Sequence, residues 1–482
     1  MKKAIGEKRP SKKAFSTINT NAFVTVVVIL TVILFLCGSL SYFVPQGSFE
    51  RDANGEIIMG SYTRQEVSGI AFWRVLTAPV RVFATSDAVT IIMISVFLLV
   101  MSGIFNILEK TGGIKSFITY LMARMQGKNS IVVCITVLVF MLFGSLFGMF
   151  EELVTLLPLI IVFMLSMGMD TMTGLGTCLM AACFGFSAAI TNPFSVGIAS
   201  QYAGVHVSSG LWLRLVFFGL IYVSVCGFLL LHLRKLRRDP ALSPTYASDM
   251  ERKASLELEA QELTGEQTRA FRIYGAFFLI QGVILVAVAS IRAISGYAIP
   301  ILAGSFLIFG ITAGLLVSRD GKGVAESFFR GALAMAPAVL MIALASSVKL
   351  VMEESGIIDT IMHAVLSRLE GMSKFVALLM IYGLILFLQL FIGSATAKIV
   401  LIMPIIVPIA KALGISPNLV ILTYCMADGF SDVIMPTNPV LLIGLSMANV
   451  SYVQWVKWTW KMQLGIFLLS LLILLLGVGI GY

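Results

Sequence analysis

Charged side chains are scarce in this sequence. Only 12% of its 482 residues are Asp, Glu, Lys or Arg, whereas 58% are hydrophobic. A soluble chain carries about twice that charged share, so the composition excludes a soluble globular protein and predicts an all-α polytopic membrane protein embedded in a lipid bilayer. The net charge of +9 predicts no nucleic-acid partner, because the excess basic residues lie in loops that set membrane topology.

Residues that carry enzymatic or metal chemistry are equally sparse. The three histidines, His206, His232 and His363, are isolated, and the sequence contains no HExxH motif, no GxSxG motif and no glycine-rich phosphate loop. Its six cysteines lie in apolar segments without metal-ligand spacing. The sequence therefore predicts no enzyme, no cofactor and no assigned metal site, and it leaves H+ or Na+ open as a coupling ion.

Long apolar runs are what the sequence has in abundance, and about 20 such residues cross a bilayer as a helix. Two apolar segments, 131–167 and 375–411, are interrupted by small and charged residues. We predict that each forms a re-entrant hairpin, which enters and leaves on one side. The other runs predict nine membrane spans, near residues 22–44, 88–109, 172–200, 211–232, 272–294, 298–317, 331–352, 418–447 and 461–481.

The distribution of lysine and arginine predicts the orientation. The segments on the side of the N-terminus hold 23 of these residues, and the opposite side holds 8. Because positive loops stay in the cytoplasm, we predict a multi-pass protein of the bacterial cytoplasmic membrane with a cytoplasmic N-terminus. The polar stretch 233–271 is interpreted as a solvated cytoplasmic linker that is helical in part.

One tripeptide occurs twice in the middle of apolar runs, as Thr191-Asn192-Pro193 and Thr437-Asn438-Pro439. Proline removes a backbone N–H and disfavours the helical conformation of the residue before it. Such a break leaves backbone groups unpaired in hydrocarbon unless it lines a site. Two breaks in corresponding positions are the best sequence indication of the binding site of a transporter.

The repeat extends beyond the tripeptide. Residues 158–200 laid over 404–446 without gaps give eleven identities in 43 positions. An odd number of spans between the halves would insert the second half upside down, so the repeat is predicted to be inverted, with both hairpin tips meeting the breaks. The predicted divisions are a basic N-terminus (1–21), repeat 1 (22–232), the linker (233–271), a connecting span (272–294) and inverted repeat 2 (298–482).

Carboxylates inside a membrane span are candidates for function. Glu151 and Glu152 lie at the predicted tip of the first hairpin, where they can hold a cation, a coupling proton or a basic group of a substrate, or else cap the returning helix. Asp428 and Asp432 precede the second break by one to three turns on one helical face. For these two aspartates the sequence leaves two alternatives open, a role in proton coupling or amine binding and a structural ion pair.

Lys398 aligns with Glu152 in the repeat. This change of sign suggests either a tethered cation that takes the place of a bound ion or a salt bridge with Asp428 or Asp432. The remaining candidate ligands offer hydroxyls or amides beside the breaks. They are Thr191, Asn192, Thr437 and Asn438, with Ser145, Ser187, Ser195, Ser394 and Thr396 as additional candidates.

Four stretches resemble a known family. They are FGMFEE at 147–152, SAAITNPFSVGIAS at 187–200, VPQGSFERD at 44–52 and ADGFSDVIMPTNPVLLIG at 427–444. They are similar to the YfcC-like branch of the C4-dicarboxylate anaerobic carrier family, which includes arginine/ornithine-type antiporters, within the ion transporter superfamily. The resemblance implies the fold of the divalent anion:sodium symporters, a homodimer, and an elevator-like movement of a transport domain against a scaffold.

These observations predict a secondary active transporter for a small molecule. The acidic candidates favour a basic or zwitterionic amino acid, carried by exchange or with a coupled ion, while the family name keeps a C4-dicarboxylate as the alternative. A channel needs no paired breaks, and an intramembrane enzyme needs a nucleophile and base or a metal set. Both are therefore less favoured.

Overall fold

The computed structural model describes residues 20–50, 58, 61–65, 67–85, 88–125, 127–150, 153–255, 264–291, 297–369 and 372–482. The predicted basic N-terminus therefore lies outside the described residues except for its last two positions. Glu151 and Glu152 also lie outside them. In the described ranges the chain is helical apart from one two-stranded antiparallel hairpin, in which Gly47 pairs with Arg64 and Ser48 with Thr63.

The first half of the chain contains ten α-helices among these ranges, together with three π-helical turns. One at Phe143–Phe147 extends α5, one at Gly176–Met180 joins α7 to α8, and one at Pro193–Gly197 leads into α9. The bounds are α1 Thr20–Leu40, α2 Phe72–Arg81, α3 Ala88–Lys110, α4 Gly113–Met125, α5 Asn129–Leu142, α6 Leu157–Ser166, α7 Thr171–Leu175, α8 Ala181–Ser187, α9 Ile198–Ala203 and α10 Leu211–Arg238.

The second half continues in the same manner. The helix bounds are α11 Tyr246–Ser255, α12 Gly265–Ser290, α13 Ala298–Ser318, α14 Gly321–Glu354, α15 Ile357–Leu366, α16 Lys374–Gln389, α17 Ala395–Ala412, α18 Pro417–Asp432, α19 Pro439–Ala448 and α20 Tyr452–Gly479. Short 3-10 turns cover Val82–Ala84, Leu153–Leu156 and Pro240–Leu242.

Many of these helices suit a membrane. Within the described residues, seven are long and apolar enough to cross one, while several others, such as Leu157–Ser166 and Pro439–Ala448, are apolar but shorter. The chain is thus a multi-pass membrane protein. The seven are Ile91–Lys110, Asn129–Phe147, Leu211–Arg238, Ile299–Ser318, Gly321–Glu354, Ala395–Ala412 and Tyr452–Gly479.

The helices pack in two groups. In one group, α3 lies against α13 and α14, and α1 packs on α14. In the other, α18 packs against α8, α16 and α20, and α10 packs against α5 and α20. The first group is tightly joined at Gly331, whose carbonyl accepts a hydrogen bond from Ser102 at 2.7 Å. The second group contains both Thr-Asn-Pro segments.

Two helical regions extend beyond their predicted bounds. The predicted span 331–352 is part of α14, which begins ten residues earlier at Gly321 and runs unbroken for 34 residues. Gly331 and Pro337 both lie inside this helix without ending it. In addition, α10 continues to Arg238 and α12 begins at Gly265, so both ends of the predicted linker 233–271 belong to the flanking helices.

Candidate functional site

The first Thr-Asn-Pro segment interrupts a helix. The helix ending at Ser187 stops, and a new one begins at Pro193. Asn192 caps the new helix, since its Oδ1 accepts hydrogen bonds from the N–H groups of Phe194 at 2.9 Å and Ser195 at 3.3 Å. Asparagine is a preferred N-cap, and proline is preferred at the first helical position because its missing N–H is not needed there. The tripeptide therefore starts a helix as well as ending one.

The second segment repeats this arrangement. α18 ends at Asp432, and α19 begins at Pro439 with Asn438 as its N-cap. The Oδ1 of Asn438 accepts hydrogen bonds from the N–H groups of Val440 at 3.0 Å and Leu441 at 3.4 Å. The first N–H groups of a helix have no partner within the helix. In both halves, two of these groups are bound by the side chain of an asparagine.

The correspondence extends to the starts of both interrupted helices. Gly168 and Gly414 each end the preceding helix with a positive φ, 79° and 68°. Two residues later, Asp170 and Ser416 serve as side-chain N-caps. All these positions are separated by 246 residues, as are the tripeptides. The local structure therefore follows the repeat that is visible in the sequence.

Ser145, in the middle of the π-helical turn after α5, holds the first break in place. Its carbonyl accepts hydrogen bonds from the N–H groups of Ile190, Thr191 and Asn192 at 3.0, 3.3 and 3.1 Å. Its hydroxyl donates to the carbonyl of Ala188 at 2.6 Å and accepts from the N–H of Ile190 at 3.0 Å. Backbone groups that the break removes from the helix are satisfied by this one residue.

In both halves the threonine of the tripeptide is tied to a neighbouring helix–turn–helix segment. Thr191 Oγ1 donates to the carbonyl of Leu146 at 3.2 Å, and Thr437 Oγ1 donates to the carbonyl of Gln389 at 3.1 Å. Leu146 belongs to the segment between α5 and α6, and Gln389 to the segment between α16 and α17. Thr191 is exposed and Thr437 is buried, so the two ties differ in access to solvent.

A cluster of polar side chains forms at the second break. Asp432 Oδ1 accepts hydrogen bonds from Gln389 Nε2 at 2.6 Å and from Asn438 Nδ2 at 3.2 Å. Asn438 Nδ2 also donates to the carbonyl of Asp432 at 3.1 Å. The exposed fraction of Asp432 is 8%, whereas Asp428, one turn earlier, is fully buried. Asp432 is therefore the carboxylate of this helix that lies closer to an accessible surface.

The two interrupted helices touch beside this cluster. Ser187, the last residue of α8, donates its hydroxyl to the carbonyl of Met426 in α18 at 3.0 Å. A Cβ on Gly429 would lie 2.6 Å from Ser187 Cα, so the two backbones are in direct contact. Both helices end nearby, and their carboxyl ends carry a partial negative charge, while the starts at the two asparagines carry a partial positive charge. Helix ends of both signs thus lie near one crossing.

Lys398 forms an ion pair with Asp428. Both side chains are fully buried, and they lie on α17 and α18. Of the alternatives left open by the sequence, the pairing with Asp428 is the one observed. A buried charge without a partner is costly, so each of these residues neutralises the other and neither carries a net charge into the site alone.

Apart from Lys398 Nζ and Asp428 Oδ1, which face each other in the ion pair, four buried polar atoms near the breaks make no hydrogen bond within the described part of the chain. They are Asn192 Nδ2, Ser195 Oγ, Gln389 Oε1 and Asp428 Oδ2. Buried polar groups are normally satisfied, and exceptions call for an explanation such as a ligand or an ion. The set contains an amide donor, two acceptors and a hydroxyl that can act as either, so it suits a solute that carries both kinds of group.

The other predicted site residues are less central. Ser394 is exposed and caps α17, where its hydroxyl accepts from the N–H of Ala397 at 3.4 Å, and Thr396 is half-buried in the first turn of that helix. Glu151 and Glu152 fall in the gap between Phe150 and Leu153, outside the described residues.

Two residues at the breaks were missed as candidates in the sequence. Gln389 bonds Asp432, and its only signal is a polar residue in the apolar run LFLQLF. Arg214 is buried, and its guanidinium donates to the carbonyl of Ile190 at 2.8 Å and to that of Ser209 at 2.7 Å. An arginine in an apolar segment is itself a functional signal, so this residue was detectable.

A second buried polar network lies at the far end of α10. Asp170 Oδ2 accepts from Ser243 at 2.6 Å and contacts His232 Nε2 at 2.9 Å. Burial alone would raise the pKa of Asp170, but the hydrogen bonds from His232, Ser243 and Thr173, together with the charge interaction with His232, outweigh it and lower the pKa below its ordinary value. Ser243 lies in the predicted linker, so this part of the linker is folded onto the protein and not merely solvated.

Comparison with known proteins identifies the family. The profile of the C4-dicarboxylate anaerobic carrier family matches residues 21–479, which is nearly the whole chain. The chain belongs to this family. The predicted resemblance is thereby confirmed, and the protein is a membrane transporter and not an enzyme. Among the described residues of this carrier, no group of three or more His, Cys, Asp or Glu side chains could hold a metal ion.

Two relatives are similar over most of the carrier. One, from Escherichia coli K12, is named "Putative basic amino acid antiporter YfcC" and is 27% identical over 382 residues, 76% of this chain and 74% of that protein. The other is an uncharacterized protein of Haemophilus influenzae Rd, 28% identical over 374 residues, 77% of this chain and 72% of that protein.

Two solved structures resemble the carrier in outline. The YdaH transporter of Alcanivorax borkumensis aligns with a TM-score of 0.46 and 17% identity, covering 96% of this chain and 98% of that one. MtrF of Neisseria gonorrhoeae, described as illuminating a class of antimetabolite efflux pumps, aligns with a TM-score of 0.44 and 15% identity, covering 94% of each chain.

Proposed function

We propose that this carrier is a secondary active antiporter of the bacterial cytoplasmic membrane that exchanges amino acids with basic side chains. In this proposal the N-terminus is cytoplasmic, the functional unit is a homodimer, and the two repeats are inverted with re-entrant hairpins. H+ or Na+ is a further coupling ion only if exchange alone does not account for transport.

The meeting of both helix breaks at one crossing carries the proposal. A break in a membrane helix is tolerated where its backbone groups line a cavity or are held by protein. Here the breaks at Asn192 and Asn438 have matching caps, and each is tied to a helix–turn–helix segment. Half-helix ends of this kind bind charged substrate groups and ions in transporters built from repeats.

The charges near the breaks suit a zwitterion. The helix start at Asn192, whose Nδ2 donor is unused within the described ranges, favours a carboxylate. The carboxylate of Asp432 at the other break favours a cationic group. The name of the Escherichia coli relative supports a basic amino acid as the substrate. A C4-dicarboxylate is the alternative that the family name favours, and the buried cation of Arg214 agrees with it.

Counterflow in proteoliposomes tests this function. Vesicles loaded with unlabelled arginine should accumulate labelled arginine transiently and saturably, and ornithine or lysine inside should serve as well, since exchange requires a shared site. Succinate or fumarate inside should not. Accumulation driven only by dicarboxylates would replace the proposal with the alternative, and unsaturable equilibration would indicate a channel.

We expect Asp432→Asn to weaken the binding of a basic amino acid about 10- to 100-fold, because a hydrogen bond to a charged partner contributes roughly 1.5–3 kcal/mol. The hydrogen bonds from Gln389 and Asn438 can still be accepted by the amide oxygen, so the fold should be retained. The KM of arginine counterflow measures the effect. Asp320→Asn, at the exposed cap of α14, is the control and should leave the KM unchanged. An unchanged KM in Asp432→Asn would remove this residue from the site.

A further inference from the structure

The helix α11 is oriented with Asp249 and Arg252 toward the protein. Asp249 is buried, and its Oδ2 accepts hydrogen bonds from the N–H of Thr171 at 2.9 Å and from Thr245 Oγ1 at 2.7 Å. Arg252 is half-buried and donates to the carbonyl of Met447 at 3.2 Å. A helix on the surface of a soluble protein has the opposite arrangement, with its apolar face inward.

Large apolar side chains point away from the protein in the same segment. Leu242, in the turn before α11, is 60% exposed, and Tyr246 and Met250 on α11 are 41% and 52% exposed. Tyr246 and Met250 are four residues apart, so they share one face of the helix. Apolar side chains presented outward by a helix whose Asp249 and Arg252 face inward indicate an interaction surface.

A basic cluster adjoins this apolar surface. The last turn and a half of α10 carries four exposed basic side chains, Arg234, Lys235, Arg237 and Arg238. The acidic residues Asp239 and Glu251 are also exposed in this segment, so the basic side chains outnumber them. Basic residues directly beyond a membrane helix attract anionic phospholipid headgroups.

The surface is continuous with the lipid-facing side of α10. Val223 and Leu231 on this spanning helix are exposed, in keeping with contact to acyl chains. The chain turns at Asp239 and reaches Tyr246 only eight residues after the end of α10. The apolar side chains of the linker therefore lie close to the plane where the bilayer ends. This position favours lipid over a partner protein as their neighbour.

We propose that Leu242, Tyr246 and Met250, together with the basic cluster at Arg234–Arg238, form a lipid-binding surface that inserts into the headgroup region of a leaflet rich in anionic phospholipid. The basic side chains bind the phosphate groups, and the three apolar side chains enter the upper acyl layer, as in interfacial helices. Asp249 and Arg252 join this surface to Thr171, at the start of one interrupted helix, and to Met447, near the end of the other.

Spin labels on the full-length protein test the position of the surface. Met250→Cys and, as the matched control, Glu251→Cys are each labelled and reconstituted in phosphatidylglycerol vesicles. Five of the six native cysteines are buried and Cys134 is half-buried, so unsubstituted protein provides the background. We expect the ratio of collisions with O2 to collisions with a water-soluble nickel chelate to be severalfold higher at position 250. Equal ratios at both positions would overturn the proposal, as would spin–spin broadening at position 250, which would indicate a second copy of the chain.

The charge requirement is tested in the same assay. Replacing Arg234, Lys235, Arg237 and Arg238 together with glutamine should lower the ratio at position 250 at least about twofold, and phosphatidylcholine vesicles should give a similar decrease without substitution. All four side chains are exposed, so the variant should elute as the parent does. A ratio that depends on neither lipid charge nor these residues would overturn the binding of anionic headgroups.

Discussion

Lys398→Met will lower the free energy of unfolding by about 3–5 kcal/mol, because it leaves the carboxylate of Asp428 buried without its cation. Asp428→Leu will have a similar effect, since it strands the amine of Lys398. Both side chains are fully buried, so water cannot replace the missing partner. Denaturant or thermal unfolding of the purified protein in detergent measures the loss.

The double variant distinguishes a paired charge from two independent effects. Replacing a buried ion pair by apolar side chains of similar volume is often nearly neutral, so Lys398→Met with Asp428→Leu should lose clearly less stability than the sum of the single variants. Additive losses would contradict the pairing. Lys411→Met, at the exposed end of the same helix, serves as the control and should change stability by less than about 0.5 kcal/mol.

The same lysine allows a test of the tethered-cation hypothesis. If the amine of Lys398 takes the place of a bound ion, then removing it by Lys398→Ala should abolish transport or make it dependent on an added cation such as Na+. Counterflow with and without Na+ measures this dependence. Transport with unchanged kinetics and ion dependence would leave Lys398 with a purely structural role.

Gly429→Ala will also have a large effect, because there is no room for a Cβ where the two interrupted helices touch. The nearest atoms belong to the backbone of Ser187 and cannot rotate away. The helices must separate, which lengthens the hydrogen bond from Ser187 to Met426. We expect a loss of stability of at least about 3 kcal/mol, at the upper end of the usual cost of overpacking, together with loss of counterflow.

Gly383→Ala is the matched control for this substitution. Gly383 lies in α16, which packs against the same helix, and a Cβ there would meet nothing within 4 Å. Alanine is favoured over glycine in a helix by up to about 1 kcal/mol, so this variant should be neutral or slightly more stable. Equal behaviour of the two variants would mean that the close approach at Gly429 is not required.

The sequence was most informative where local chemistry decides structure. Asn192 and Asn438 precede proline in apolar runs, and both the end of one helix and the start of the next follow from the preferences of these two residue types. The predicted positions of the breaks needed no knowledge of distant contacts. The inverted arrangement of the halves and the re-entrant path of the hairpins remain predictions.

Contacts between distant segments were not predictable in the same way. Lys398 could have paired with Asp428 or Asp432, and the choice depends on how α17 lies against α18. Gln389 reaches Asp432 across 43 residues of sequence. The linker was misjudged for a related reason: its polar composition suggested solvation, but Ser243 and Asp249 are buried because they satisfy polar groups at Asp170 and Thr171.

The unequal fastening of the two breaks has a consequence for motion. At the first break, Ser145 and Leu146 together make six hydrogen bonds. At the second, Gln389 makes one bond through its carbonyl and one through its side-chain amide. Each bond contributes about 1 kcal/mol net, so Gln389 alone holds the second break less firmly than Ser145 and Leu146 hold the first. The buried pair of Lys398 and Asp428 adds a link between α17 and α18. We therefore expect the position of the segment around Gln389 to depend on this ion pair, whereas the segment around Ser145 is held at the break itself.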